Sequence, residues 1–157
     1  MLEFRNVTAS IGIIQILRGL DFRIAPAETL ALIGRNGAGK TTLLRTIMGF
    51  TRVTGEIRFG DTRLDSMAPP KRPGLGIGYS PEDRRLFSAF TVEENILLPA
   101  QAARLGTAET QKRLDRIYDI LPELRDMAGR PAGNVSGGQG KMVALGRALM
   151  SGTRLVM

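Results

Sequence analysis

The nine residues GRNGAGKTT, Gly34 to Thr42, decide how the rest of this chain is read. They match G-x-x-x-x-G-K-[ST] in full and lie between an apolar run, TLALIG (Thr29 to Gly34), and a segment with helical period. Each position has a physical reason. Gly34, Gly37 and Gly39 admit backbone angles closed to other residues and place no side chain between amide N–H groups and an incoming anion. The amides from about Asn36 to Thr41 then form an anion nest, reinforced by the positive end of the following helix dipole. Lys40 adds a full positive charge near the terminal phosphates, and the Thr41 hydroxyl is suited to ligate Mg²⁺. A glycine turn that merely joined strand to helix would explain neither the lysine nor the paired threonines Thr41 and Thr42. The stretch Gly34, Arg35, Asn36, Gly37, Ala38, Gly39, Lys40, Thr41, Thr42 is therefore expected to bind a nucleoside triphosphate.

The flanks carry the fold. TLALIG is continuously apolar, as a strand buried on both faces of a parallel sheet must be. After the loop, Leu43, Leu44, Ile47 and Met48 form the stripe of a helix starting at Lys40, and Gly49 can end it in a left-handed conformation. Upstream, LEFRNV and GLDFRIAPAE alternate as half-exposed strands do, with Leu20, Phe22 and Ile24 on one face. Downstream, GEIRFGDTRL reads as a hairpin turning at Gly60–Asp61, MAPPKRPGLG as a loop without regular structure, and IGYS as a short strand. From about Thr91 the pattern is helical. Thr91 and Glu94 make a capping box, and Leu114, Ile117, Tyr118 and Leu121 keep helical spacing until Pro122. The closing residues, RLVM, begin another buried strand.

Composition limits the chemistry. With 157 residues, 43% apolar and 24% charged, the chain can bury a real core. It has no cysteine, which excludes disulfides and thiolate metal sites, and no histidine, which removes the usual general base. No apolar run approaches the roughly 18 residues that span a bilayer, and MLEFRNV lacks the features of a signal peptide. The net charge of +7 suits an anionic ligand or surface. Scattered arginines and only two tyrosines argue against nucleic acid as a partner.

A second motif narrows the class. In NVSGGQGKMVALGRALM, Asn134 to Met150, Ser136 can cap a helix and Gly137 and Gly138 expose its first amides. Val143, Ala144, Leu145, Ala148 and Leu149 give the helix an apolar side. A capped helix alone does not explain a second anion-ready N-terminus in one chain. The order of motifs resembles the ATP-binding subunit of ABC transporters, with VSGGQ similar to that family's signature apart from Val135 in place of the usual leucine. The resemblance implies an α/β phosphate-loop NTPase core with an inserted helical subdomain. It also implies ATP and Mg²⁺, and a head-to-tail dimer in which Ser136, Gly137, Gly138 and Gln139 serve the partner's γ-phosphate.

The resemblance extends to GYSPEDRRLFSAFTVEENILLP, which stands where the family has its hinge loop to the membrane subunit. Glu82 replaces the usual glutamine there. With Arg84, Arg85, Phe87 and TVEEN, this is similar to the ATPases of Liv-type branched-chain amino-acid importers and their urea and amide relatives. The plain alternative for Glu82, after Pro81, is an ordinary surface acid, which its place in the motif order disfavours, whereas Arg84 and Arg85 read equally as a solvated basic patch. The implied partners are a second ABC ATPase subunit, integral-membrane permease subunits and, indirectly, a periplasmic or extracellular solute-binding protein. The implied place is the cytoplasmic face of the cell membrane. Residues 1–81 are expected to form the ATP-binding core with an antiparallel part, 82–135 the hinge loop and helical subdomain, and 136–157 the signature helix and the start of the Walker B strand.

Two departures stand out. Ile11 occupies about the place where the family stacks an aromatic residue on adenine. The Walker B aspartate and glutamate and the switch histidine are absent, so the C-terminal part of the core is expected to be missing and turnover by this chain slow or nil. The motif order of phosphate-loop folds also places the RLVM strand beside the strand that feeds the phosphate loop.

Overall fold

The computed structural model describes residues 1–157 in two compact units, Met1–Arg72 and Pro73–Met157. The first is built on a four-stranded antiparallel sheet of order β2-β1-β3-β4, comprising β1 (Leu2–Ile11), β2 (Ile14–Ile24), β3 (Arg52–Phe59) and β4 (Thr62–Arg63). Alternation puts Leu2 and Phe4 inside, and the pattern then shifts by one to Val7 and Ala9. A bulge between Phe4 and Val7 causes the shift. Asn6 sits there at φ 47°, its N–H donating to Asp21 Oδ1 at 2.8 Å. Leu20, Phe22 and Ile24 share one face as expected, and the Phe22 ring stacks on Phe4 at 4.5 Å. The β3–β4 hairpin turns at Gly60, whose φ of 59° suits glycine.

Helix α1 (Lys40–Ile47) follows the phosphate loop, burying Leu43 and Ile47, with Met48 buried at its end and Gly49 at φ 86°. The expected strand Thr29–Gly34 does not form. Those residues take no ladder partner, leaving Leu30 48% and Ile33 92% exposed. The apolar run is present. A parallel strand, however, exists only when neighbours on its edges accept its N–H and C=O groups, and the sheet order gives this run none.

In the second unit, β5 (Ile77–Gly78) pairs in parallel with β6 (Leu155–Val156). The terminal strand thus takes its ladder partner from the strand before the hinge loop, and it is not the buried strand expected, since Val156 is exposed. Four helices carry this unit's core: α2 (Val92–Ala102), α3 (Thr107–Ile120), α4 (Glu123–Asp126) and α5 (Gly137–Ser151). Their contact is made by Val92, Ile96, Leu114, Ile117, Leu124, Val143 and Met150. Gly146 allows the close approach, since a Cβ there would stand 2.9 Å from Leu124 Cδ1. On α5 the buried face includes Val143, Ala144 and Ala148 as expected, but Leu145 is exposed and Met150 takes its place inside. The MAPPKRPGLG loop contains two single 3₁₀ turns, Pro69–Lys71 and Pro73–Leu75. No helix is long and apolar enough to cross a membrane.

Candidate functional site

The phosphate loop is shaped by its glycines. Gly37 (φ 84°) and Gly39 (φ 93°) both adopt the left-handed conformation, and the Ala38 N–H closes a turn onto Arg35 O at 3.1 Å. At Gly39 the loop packs against β2 side chains, since a Cβ there would stand 2.9 Å from Leu17 Cδ2. A Cβ on Gly37 would meet nothing within 4 Å, so that side of the loop is open. Lys40 Nζ reaches back over the loop and donates to Gly34 O at 2.6 Å and Arg35 O at 2.9 Å. Asn36 and Thr41 are exposed, whereas Thr42 is buried in the first turn of α1.

Helix α1 begins with no side-chain cap. By contrast α2 and α5 close their first turns with full capping boxes, Thr91 with Glu94 and Ser136 with Gln139. The first amides of α1 therefore have neither an intrahelical partner nor a capping side chain, and the Lys40 ammonium is nearby. This arrangement fits a phosphate chain, and Thr41 is the exposed hydroxyl at the same helix end.

The far end of α1 is held by a residue that sequence reading missed. Arg72 is buried, and its guanidinium donates to four carbonyls. Nη1 reaches Thr46 O and Ile47 O at 2.9 and 2.6 Å, and Nη2 reaches Leu64 O and Met67 O at 2.6 and 2.9 Å. A cation at a helix C-terminus complements the dipole. Burial lowers the pKa of this guanidinium, with Asp65 acting in the opposite sense. A loop arginine after prolines gives no periodic signal that could have found it.

In the second unit the signature turn is ordered by its own cap. Ser136 Oγ accepts from the Gln139 N–H at 3.3 Å, and Gln139 Oε1 accepts from the Ser136 N–H at 2.9 Å. Gly137 and Gly138 are exposed, and a Cβ on Gly138 would meet nothing within 4 Å. Glu82 is exposed and its carboxylate makes no hydrogen bond or ion pair. Arg84 and Arg85 differ. Arg84 Nη1 donates to Gly137 O at 3.2 Å, while the exposed Arg85 pairs with Asp83 at 2.7 Å. Arg147 on α5 donates to the carbonyls of both residues, and burial pushes its guanidinium down. Asn95, fully buried, accepts from the Phe87 N–H and donates to Phe87 O and Thr91 O, pinning the end of the loop. Asn95 and Arg147 each interrupt an apolar stripe, the one signal that could have marked them. Ile11, at the tip of the β1–β2 hairpin, is exposed together with Ile13 and Ile14.

The family model for ABC transporters matches residues 17–157, a span that holds both the phosphate loop and the signature helix. The chain belongs to the ABC transporter ATP-binding family. It is 35% identical to the high-affinity branched-chain amino acid transport ATP-binding protein BraG of Pseudomonas aeruginosa, over all of this chain and 67% of that protein. It is 34% identical to the probable branched-chain amino acid transport ATP-binding protein LivF of Archaeoglobus fulgidus, over all of this chain and 66% of that one. The chain thus spans about two thirds of the length of these ABC relatives. The solved dimeric structure of a bacterial ABC transporter cassette superposes with a TM-score of 0.82 at 26% identity, covering 96% of this chain and 70% of that one. Other cargo names match comparably. The sn-glycerol-3-phosphate import protein UgpC of Cereibacter sphaeroides is 35% identical over 95% of this chain and 42% of its own length.

Proposed function

We propose that this chain is the nucleotide-binding part of an ATPase subunit that drives import of branched-chain or related amino acids. The observation that carries the nucleotide assignment is the uncapped start of α1, with Gly37 and Gly39 left-handed and Lys40 Nζ beside it. Lys40 would exchange its two loop carbonyls for phosphate oxygens, the residues Gly34 to Thr42 would cradle the phosphates, and Thr41 would contribute a hydroxyl to Mg²⁺. Ser136 to Gln139 would face the nucleotide of a second ABC subunit in a head-to-tail dimer. Glu82, an exposed carboxylate without an internal partner, would meet the membrane permease at the cytoplasmic face, the solute-binding protein acting only through that permease. Hydrolysis is assigned to the whole protein and calls on Walker B carboxylates that residues 1–157 do not include.

The names of BraG and LivF, together with Glu82, Arg84, Arg85, Phe87 and TVEEN, support an amino-acid cargo. The same residues are compatible with urea or amide uptake. Calorimetric titration with Mg-ATP tests the nucleotide assignment. Lys40→Ala is expected to weaken affinity by at least about a hundredfold, because it removes the one full charge at the phosphates. Unchanged affinity would overturn it. Uptake of labelled leucine by vesicles carrying the whole transporter, with urea as competitor, separates the cargoes.

A further inference from the structure

We propose that Arg147, Arg84 and Arg85 form a latch through which the hinge loop after Glu82 and the signature turn Ser136–Gly140 change conformation together. Arg147 Nη1 and Nη2 bind the carbonyls of two consecutive residues, Arg85 O at 2.7 Å and Arg84 O at 2.6 Å. The two residues whose carbonyls converge on this guanidinium, Arg84 (φ 60°) and Arg85 (φ 47°), are both left-handed. For residues with a Cβ, that conformation is disfavoured by about tenfold each. The strain persists because the surrounding contacts over-determine it, which is the situation found in switch segments.

The same turn sends the Arg84 side chain back onto α5, where Nη1 donates to Gly137 O at 3.2 Å. Gly140 makes room for it. A Cβ at that position would stand 3.1 Å from Arg84 Nη1 and 3.3 Å from Arg84 Cδ. Glycine inside a helix is unfavourable, and the seat for Arg84 gives this one a reason. The far end of the loop is fixed by Asn95 through Phe87, so the relaxation concentrates at Asp83–Leu86. A loop that leaves the left-handed region relieves two strained residues but loses the Arg147 contacts and withdraws Arg84 from Gly137. These two arrangements make a bistable element, and whatever engages Glu82 biases the first turn of α5. Its consequence for transport rests on the function proposed above. The existence of the latch does not, because it can be read without nucleotide.

Amide hydrogen exchange on the 157-residue chain, resolved by NMR, is the test. The amides to follow are Arg84 and Arg85, bonded to Pro81 O and Asp83 O, and Gln139 and Gly140 of the signature turn. Arg147→Lys keeps the charge but not the fork, and should speed exchange at both places by about tenfold. Arg84→Ala removes only the bridge to Gly137 and should speed Gln139 and Gly140. Arg85→Gly relieves one strained residue and should slow exchange at both places by about fivefold. Arg84→Ala and Arg85→Gly lie on the loop, so they decide the matter even if Arg147→Lys does not fold. If the loop amides respond while Gln139 and Gly140 keep their original rates, or if Arg85→Gly changes neither, there is no latch.

Discussion

Replacing Arg72 by methionine keeps most of the aliphatic stem and deletes a guanidinium that makes five hydrogen bonds to four carbonyls. Bonds to a charged donor contribute about 1.5–3 kcal/mol each, so a simple sum would rival the whole stability of a domain. The sum is wrong because two of the carbonyls keep another partner. Thr46 O still accepts from the Gly49 N–H at 3.0 Å and Leu64 O from the Met67 N–H at 2.9 Å. Ile47 O and Met67 O are left without a donor, at about 1–3 kcal/mol each. Adding the loss of a cation at the end of α1 gives a cost of about 3–5 kcal/mol. Exchange of the Leu43 and Met48 amides, bonded to Gly39 O and Leu44 O, reads the stability around α1 directly. That cost corresponds to acceleration by about a hundredfold to a few thousandfold, with Arg72→Lys in between because an ammonium cannot span the same carbonyls. Acceleration under about tenfold in Arg72→Met would refute the reasoning, since it would mean that water replaces the guanidinium cheaply.

Gly49→Ala attacks the same joint from the other side. Its φ of 86° and a Cβ only 2.7 Å from Arg72 Cζ should cost about 2–3 kcal/mol, visible at the same amides. Asn95→Leu should destabilise the second unit by about 1–3 kcal/mol, measured by urea unfolding, because it leaves the Phe87 N–H without an acceptor, while Phe87 O and Thr91 O keep the Phe90 and Asn95 amides. Glu94, held below its ordinary 4.5 mainly by the hydrogen bond from the Thr91 backbone, stabilises the folded chain above that pH and loses the effect as pH falls through its lowered value. Glu94→Gln should therefore flatten the loss of stability between about pH 6 and pH 3, as followed by urea midpoints.

What sequence could and could not tell divides along a physical line. The period-2 strands, the hairpin at Gly60, the helix at Lys40, the Thr91–Glu94 capping box and the cap at Ser136 were legible because each depends on side-chain types a few residues apart. The apolar run Thr29–Gly34 was legible as a demand for burial but not as a strand, because ladder formation depends on which neighbours exist. Leu145 failed for a related reason. A stripe fixes a face to within a residue or so, and packing against Leu124 and Ile117 chose Gly146 and Met150 as the inside positions.

The residues missed altogether share one property. Arg72, Asn95 and Arg147 bind mainly backbone groups, which carry no identity in a sequence, so no pairing of residue types could reveal them. Each holds a segment next to a candidate site: the end of the phosphate-loop helix, the exit of the hinge loop, and the hinge loop's strained turn. The motif residues Lys40, Thr41, Ser136 and Gly138 are recognisable because a ligand's chemistry would fix their type and spacing. The clamps are not, because any donor of the right reach could satisfy a carbonyl. Exchange rates at the amides beside those carbonyls are therefore a better guide to what positions the site than a motif search, and the Arg72 and Arg147 variants put that ordering to the test.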